Sequence, residues 1–75
     1  MSQALARLKA KPPEASFADV RLVLEAYGWR QDRQKGSHVS FSKAGQRSLT
    51  LPLASRSMVK RPYVELLLTA LRLEE

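Results

Sequence analysis

The chain of 75 residues is long enough for one small domain with a modest hydrophobic core. It has no cysteine and one histidine, which excludes disulfide frameworks, thiolate metal sites and multi-histidine zinc or iron sites. Thirteen Lys and Arg against seven Asp and Glu give a formal net charge of +6, which favours a polyanionic partner. No apolar run approaches the roughly 18 residues of a membrane span and no N-terminal apolar signal core is visible, so we expect a cytoplasmic protein without a membrane partner.

The positive charge is concentrated in the middle of the chain. Residues 28–61 contain eight basic side chains and a single acidic one, Asp32, whereas the flanking segments are nearly neutral. Scattered charge usually forms an ordinary solvated surface, but this imbalance favours a face that binds an anion. The acidic residues are sparse and never clustered, so neither a metal site nor any other cofactor is expected.

The N-terminal segment predicts a helix that precedes the main domain. Residues 3–11 are good helix formers, and Pro12-Pro13 ends the pattern. We therefore expect a short helical arm with a rigid proline linker over residues 1–14 and the main domain over residues 15–75. The sequence leaves open whether the arm docks on the domain, mediates pairing or frays.

A longer helix is predicted after Ser16, which is suited to the N-cap position and has Asp19 in the following turn. Gly28 is expected to be the left-handed residue after this helix. The apolar residues between them recur at helical spacing and form one face: Phe17, Val20, Val23, Leu24 and Tyr27.

Three short strands are predicted after Gly28, because the apolar period changes from about 3.6 to about 2 residues. Separated by a glycine turn and a glycine-containing loop, the strands cover residues 29–34, 38–42 and 47–51. Pro52 ends the last strand because it has no amide to donate. A polar connection over residues 53–59 then leads to a final helix that Pro62 starts.

This order of elements predicts an α+β fold with two layers. A three-stranded antiparallel sheet with both main helices on one face buries all the apolar stripes at once. The short helical arm precedes this arrangement.

Strand parity places the single histidine on the open face of the predicted sheet. If Val39 and Phe41 point toward the helices, His38 points away from them. A lone histidine is most often a surface or core residue without a chemical role. Here it follows a glycine turn on a rigid strand and lies close to the basic segment 33–35, which favours acid–base cleavage of a phosphodiester.

Cleavage of RNA through its 2′-hydroxyl requires a base, an acid for the leaving oxygen and cations for the charge on phosphorus. His38 can fill only one of the proton roles in a given step. Arg33, Lys35 or Arg47 could stabilise the charge, and Ser37 or a water could carry the second proton. The sequence leaves these alternatives open.

Four segments together resemble the HicA family of toxins. They are Gly28-Trp29 after a helix, the run from Arg33 to His38, Leu51-Pro52 at a strand end, and the run from Val59 to Val64. The resemblance covers roughly residues 16–71. It departs from the family where Leu53-Ala54 follow the strand-ending proline, because many members carry a histidine or a polar residue there.

The resemblance implies a fold like the double-stranded-RNA-binding domain, α-β-β-β-α, and an mRNA endoribonuclease that a HicB-type antitoxin inhibits. It implies that His38 is the catalytic residue, that Gly36 is the family's glycine, and that the antitoxin masks His38 and the basic face. The residues expected to contact RNA are Arg33, Lys35, Gly36, Ser37, Lys43, Arg47 and Lys60.

Two other function classes are compatible with these residues. A non-catalytic RNA-binding module would use the basic sheet face to hold a duplex by its shape and phosphates. An interaction protein would use the same face mainly to bind an acidic partner, which we expect to contact Arg33, His38 and Arg47. Cleavage of RNA distinguishes the enzyme from both, whereas salt-dependent binding does not.

Overall fold

The computed structural model describes residues 2–73, so Met1, Glu74 and Glu75, at the ends of the predicted arm and domain, lie outside the described residues. In chain order the elements are α1 (Ser2–Lys9), β1 (Glu14–Ser16), α2 (Phe17–Ala26), β2 (Arg30–Lys35), β3 (His38–Ser42), β4 (Leu49–Pro52), a 3₁₀ turn (Ser55–Ser57), β5 (Met58–Lys60) and α3 (Arg61–Ala70). A three-stranded antiparallel sheet has the order β2-β3-β4, and a separate antiparallel pair joins β1 to β5.

The predicted α+β fold is confirmed, and α2-β2-β3-β4-α3 forms the expected α-β-β-β-α arrangement. Val39 and Phe41 on the central strand are 0% exposed and belong to one core cluster with the buried residues of α2 and α3. The ring of Phe17, at the start of α2, lies 6.1 Å from that of Phe41. The two main helices therefore cover one face of β3 and β4 and leave the other face open, whereas all six residues of the edge strand β2 are exposed.

Helix α2 begins and ends at the residues that the sequence indicates. The Ser16 hydroxyl accepts a hydrogen bond from the Asp19 amide at 3.1 Å, which satisfies one of the free N–H groups of the first turn. Gly28 has a φ of +90°, the left-handed conformation that glycine adopts without a steric penalty. Both predictions for this helix are confirmed.

The β1–β5 pair was not predicted. The proline linker was expected to extend to residue 14, and residues 53–59 were expected to be a polar connection. Instead Glu14 begins β1, and Ala15 and Val59 are buried and face each other in the register. The Pro13 carbonyl also accepts a hydrogen bond from the Arg61 amide at 3.0 Å. Strands of three residues are too short to show a period of two, so only the tertiary pairing defines them.

The N-terminal arm docks on the domain. Ala4 and Leu8 on α1 are buried in the same core cluster as the sheet and the other helices. On the surface, the Arg7 guanidinium donates two hydrogen bonds to the Asp19 carboxylate, at 2.7 and 2.9 Å, and so ties α1 to the first turn of α2. Of the three possibilities that the sequence leaves open for the arm, the structure shows docking.

The Arg7–Asp19 pair makes stability depend on pH. The hydrogen bond from Arg7 lowers the pKa of Asp19 below its ordinary value, with smaller help from the Arg7 charge and the Ser16 hydroxyl. A carboxyl group with a lowered pKa stabilises the fold above its unfolded-state pKa of about 3.9, and this contribution is lost as the pH falls through the folded-state pKa. We expect Asp19→Asn to lower the Tm at pH 7, with the difference from the wild type shrinking as the pH is lowered below about 4.

Thermal unfolding of both proteins across this pH range measures the effect. Glu25→Gln is the matched control, because Glu25 is an exposed helical carboxylate whose nearest cation, the Arg21 guanidinium, is 3.9 Å away. A constant Tm difference between Asp19→Asn and the wild type at all pH values would contradict the prediction.

Candidate functional site

The hairpin between β2 and β3 brings the central segment of the site together. Lys35 and His38 form its last pair, so Gly36 and Ser37 are the two turn residues. Gly36 has a φ of +60° and Ser37 a negative φ, the pattern of a type II′ turn that suits the twist of a hairpin. Two hydrogen bonds fix this turn: the Gln34 side-chain amide donates to the Gly36 carbonyl at 3.1 Å, and the Leu53 amide donates to the Ser37 carbonyl at 2.7 Å.

His38 is exposed on the open face of the sheet, on the side predicted from strand parity. It stands at the start of the central strand, between Lys35 on β2 and Pro52 on β4. Directly opposite residues of an antiparallel ladder have Cβ atoms about 5 Å apart, so Lys35 is an immediate neighbour of the imidazole. Within residues 2–73 the His38 side chain has no hydrogen-bond or ion-pair partner, which leaves both ring nitrogens accessible to a ligand.

A β-bulge at Asp32 places three cations on the same face as His38. The register runs from Arg30 opposite Ser42 to Arg33 opposite Ser40, with one extra residue between Gln31 and Arg33. Opposite residues share a face, so Arg30 joins Arg33 and Lys35 on the open side even though strict alternation would separate Arg30 from the other two. Arg30 was not among the predicted site residues, because a bulge leaves no periodic signal in the sequence.

The rest of the open face is polar and small. The Ser40 and Thr50 hydroxyls lie 3.2 Å apart and form a hydrogen bond across β3 and β4. Ser42 continues this row along β3 and is also on the open side. A face without bulky apolar side chains leaves the three cations and the imidazole accessible to an extended anionic chain.

Three of the predicted RNA-contacting residues lie apart from this cluster. The Lys43 ammonium group donates a hydrogen bond to the Tyr27 carbonyl at 2.8 Å, and its side chain packs against Gly28. It therefore satisfies a backbone carbonyl group at the C-terminal end of α2. Arg47 lies in the loop that joins β3 to β4. This loop follows the C-terminal end of β3, whereas His38 is at the N-terminal end of the same strand. Lys60 lies on the other sheet, with its ammonium group 3.2 Å from the Glu14 carboxylate.

Arg33, Lys35, Gly36, Ser37 and His38 are thus the predicted site residues that the structure brings together. Across residues 2–73, no three histidine or acidic side chains come close enough to hold a metal ion. The same residues contain no helix that is both long and apolar enough to cross a membrane.

The sequence model of a family described as the HicA toxin of bacterial toxin–antitoxin systems matches residues 17–71, which is most of the chain. This chain belongs to the HicA toxin family. No curated protein and no solved structure matches it significantly. The family match includes the whole β2–β3–β4 sheet and both main helices, and it begins one residue after β1, so α1 and β1 lie outside it.

The positive φ of Gly36, in the turn before His38, can be tested by substitution. A Cβ atom at Gly36 would meet no heavy atom within 4 Å, so substitution would be limited by backbone conformation alone. We expect Gly36→Ala to lower the free energy of unfolding by about 1–2 kcal/mol, the cost of a positive φ for an L-residue. Chemical denaturation measures this loss.

A synthetic protein with D-alanine at position 36 is the matched control, because a D-residue prefers positive φ and adds the same methyl group. It should be at least as stable as the wild type. Equal destabilisation by the L- and D-residues would show that crowding, rather than backbone conformation, selects glycine here.

Proposed function

We propose that this HicA-family protein is the toxin of a toxin–antitoxin pair and acts as an endoribonuclease on mRNA, with His38 as its catalytic residue. The observation that carries the proposal is the exposed imidazole on the central strand, beside Lys35 and on the same face as Arg30 and Arg33. Val39 and Phe41, which follow His38 on the same strand, are buried and hold that strand rigidly against the helices.

The proposed chemistry is attack by the RNA's own 2′-hydroxyl. A base removes the 2′-hydroxyl proton, the 2′-oxygen forms a bond to phosphorus, and the bond from phosphorus to the 5′-oxygen breaks. The departing 5′-oxygen takes up a proton, which leaves a 2′,3′-cyclic phosphate and a 5′-hydroxyl end. Imidazole can accept or donate a proton near neutral pH, so His38 is suited to one of these two transfers.

The cations supply the electrostatic part of the mechanism. Negative charge accumulates on the phosphoryl oxygens as the 2′-oxygen attacks, and a fixed cation close to them lowers the barrier. Lys35, opposite His38, is the nearest basic residue in the register, followed by Arg33 opposite Ser40. Because the chain has a single histidine, another group must make the second proton transfer. The candidates next to the imidazole are the Ser37 hydroxyl and a water.

Replacement of His38 tests this proposal. We expect His38→Ala to reduce cleavage of a single-stranded RNA in EDTA-containing buffer by at least about 100-fold, the lower range for loss of a general acid or base. Binding of the same RNA with its riboses 2′-O-methylated should change little, because the cations remain. Cleavage rates on gels and fluorescence anisotropy provide the two measurements.

His38→Gln is the matched control, since glutamine keeps a polar side chain of similar size but transfers no proton at neutral pH. It should be as inactive as His38→Ala. Unchanged cleavage in both variants would exclude His38 as the catalytic residue. Tight RNA binding without cleavage by the wild type would instead favour the non-catalytic RNA-binding module.

The HicA family pairs with HicB-type antitoxins, and we propose that the antitoxin covers the open face, including His38. Electrostatic complementarity to this face would accelerate association at low ionic strength. We expect Lys35→Glu to lower the association rate with the cognate HicB-type antitoxin about tenfold at low salt, and the difference to shrink as salt is added. Stopped-flow binding measures both.

Lys9→Glu is the control for the change in net charge, because Lys9 is an exposed lysine on α1. Its association rate should stay much closer to that of the wild type. Equal rates for the two variants would show that the antitoxin binds outside the open face.

A further inference from the structure

The Gln34 side chain holds the peptide between Gly36 and Ser37 in one orientation. Gln34 is opposite Val39 in the register, so it lies on the side of the sheet where the helices pack. Because β2 is an exposed edge strand, this side chain remains in solvent and folds back onto its own hairpin. Its amide group donates to the Gly36 carbonyl at 3.1 Å, which directs that carbonyl toward the helix side.

The amide of Ser37 therefore points to the opposite side, which is the open face. In a trans peptide the N–H and C=O groups point in opposite directions, and residues 2–73 contain no cis peptide bond. The dihedral angles of a type II′ turn give the same orientation. With φ of about +60° and ψ of about −120° at the first central residue, the central carbonyl lies on the face opposite to the two flanking side chains, which here are Lys35 and His38.

The Ser37 amide is available to a ligand. Ser37 is exposed, and its N–H group has no hydrogen-bond partner within the described part of the chain. Its carbonyl, by contrast, accepts a hydrogen bond from the Leu53 amide at 2.7 Å. Hydrogen bonds thus fix the peptide on each side of Ser37, one through Gln34 and one through Leu53, while the Ser37 N–H remains unused.

The unused amide is next to the imidazole. Ser37 directly precedes His38, so their Cα atoms are about 3.8 Å apart, and Lys35 lies across the strand pair from His38. A phosphate in contact with the imidazole is therefore within reach of a backbone N–H and of an ammonium group on the same face. The ammonium group is carried by a flexible four-carbon chain, whereas the backbone holds the N–H in place.

We propose that the Ser37 amide donates a hydrogen bond to a non-bridging oxygen of the scissile phosphate, and that Gln34 is the positioning residue that keeps this amide on the open face. The inference rests on the proposed RNA cleavage and deepens it, because it adds a backbone donor to His38 and the cations. Negative charge on the non-bridging oxygens increases as the 2′-oxygen attacks, so a prealigned N–H stabilises the transition state more than the bound RNA. Neither the amide nor Gln34 transfers a proton.

Removal of the amide hydrogen is the direct test. A synthetic protein with an ester in place of the amide between Gly36 and Ser37 lacks the N–H and keeps every side chain. We expect its single-turnover cleavage of a single-stranded RNA, in EDTA-containing buffer, to be about 100-fold slower, the lower range for loss of one donor to a developing oxyanion. Binding of the 2′-O-methylated RNA should change little, because the hydrogen bond strengthens mainly in the transition state.

A phosphorothioate at the cleaved linkage shows whether the amide acts on a non-bridging oxygen. Sulfur accepts hydrogen bonds weakly, so replacement of the contacted oxygen should slow cleavage of one of the two diastereomers by the wild type. In the ester protein this slowing should largely disappear, because the contact is already lost. Ser37→Ala keeps the amide and removes only the hydroxyl, so its sensitivity to sulfur should equal that of the wild type.

Gln34→Ala tests the positioning role, and Gln31→Ala is the matched control. Gln31 is the other exposed glutamine on the helix side of β2, opposite Phe41, and its side chain has no hydrogen-bond partner among residues 2–73. We expect Gln34→Ala to lower kcat about threefold to tenfold and to weaken the sulfur effect, because the peptide is no longer held by a side-chain hydrogen bond. KM and the shape of the pH profile should not change, since the amide does not titrate, and Gln31→Ala should match the wild type throughout.

Three outcomes would overturn the inference, and they are distinguishable once thermal unfolding shows that each variant is folded. If the ester protein cleaves RNA as fast as the wild type, the Ser37 amide does not contact the reacting phosphate and the proposed function stands. If Gln34→Ala and Gln31→Ala cleave RNA equally fast, Gln34 is not a positioning residue. If the wild type does not cleave RNA, the proposed function fails and the role of the amide fails with it.

Discussion

The complete burial of Val39 and Phe41 on the central strand is the constraint on which the site depends. Burying side chains of this size stabilises the fold by about 1.5–3 kcal/mol each, and a slip of one residue would move both into solvent. Because β3 is paired with both β2 and β4, its register also determines which residues of those two strands lie on each face of the sheet. The same interaction that stabilises the core therefore keeps His38 outside it.

Much of this arrangement could be predicted from local patterns. The Ser16 cap, the left-handed Gly28 and the alternation of residues 38–42 each depend on the chemistry of a few adjacent residues, and each is confirmed. The side of the sheet that carries His38 follows from that alternation alone. The HicA resemblance, which is confirmed over residues 17–71, linked these local elements into one family.

The remaining features depend on contacts that no local pattern encodes. The bulge at Asp32 changes which residues of β2 share a face, so Arg30 could not be assigned to the site. Strands β1 and β5 exist only because they pair with each other. For Lys43, residue type alone suggested a nucleic-acid contact, whereas its hydrogen bond to the Tyr27 carbonyl engages it in the fold.

The pairing of β1 with β5 also affects the order in which the chain can fold. The Arg61 side chain bonds the Lys11 carbonyl across 50 positions of the sequence, whereas the hairpin that presents His38 closes over two residues. Closing a long loop costs more conformational entropy, and non-local contacts form later than local ones. The β2–β3 hairpin is therefore expected to close before β1 pairs with β5. The hairpin that carries His38 can thus form during folding while β1 is still unpaired.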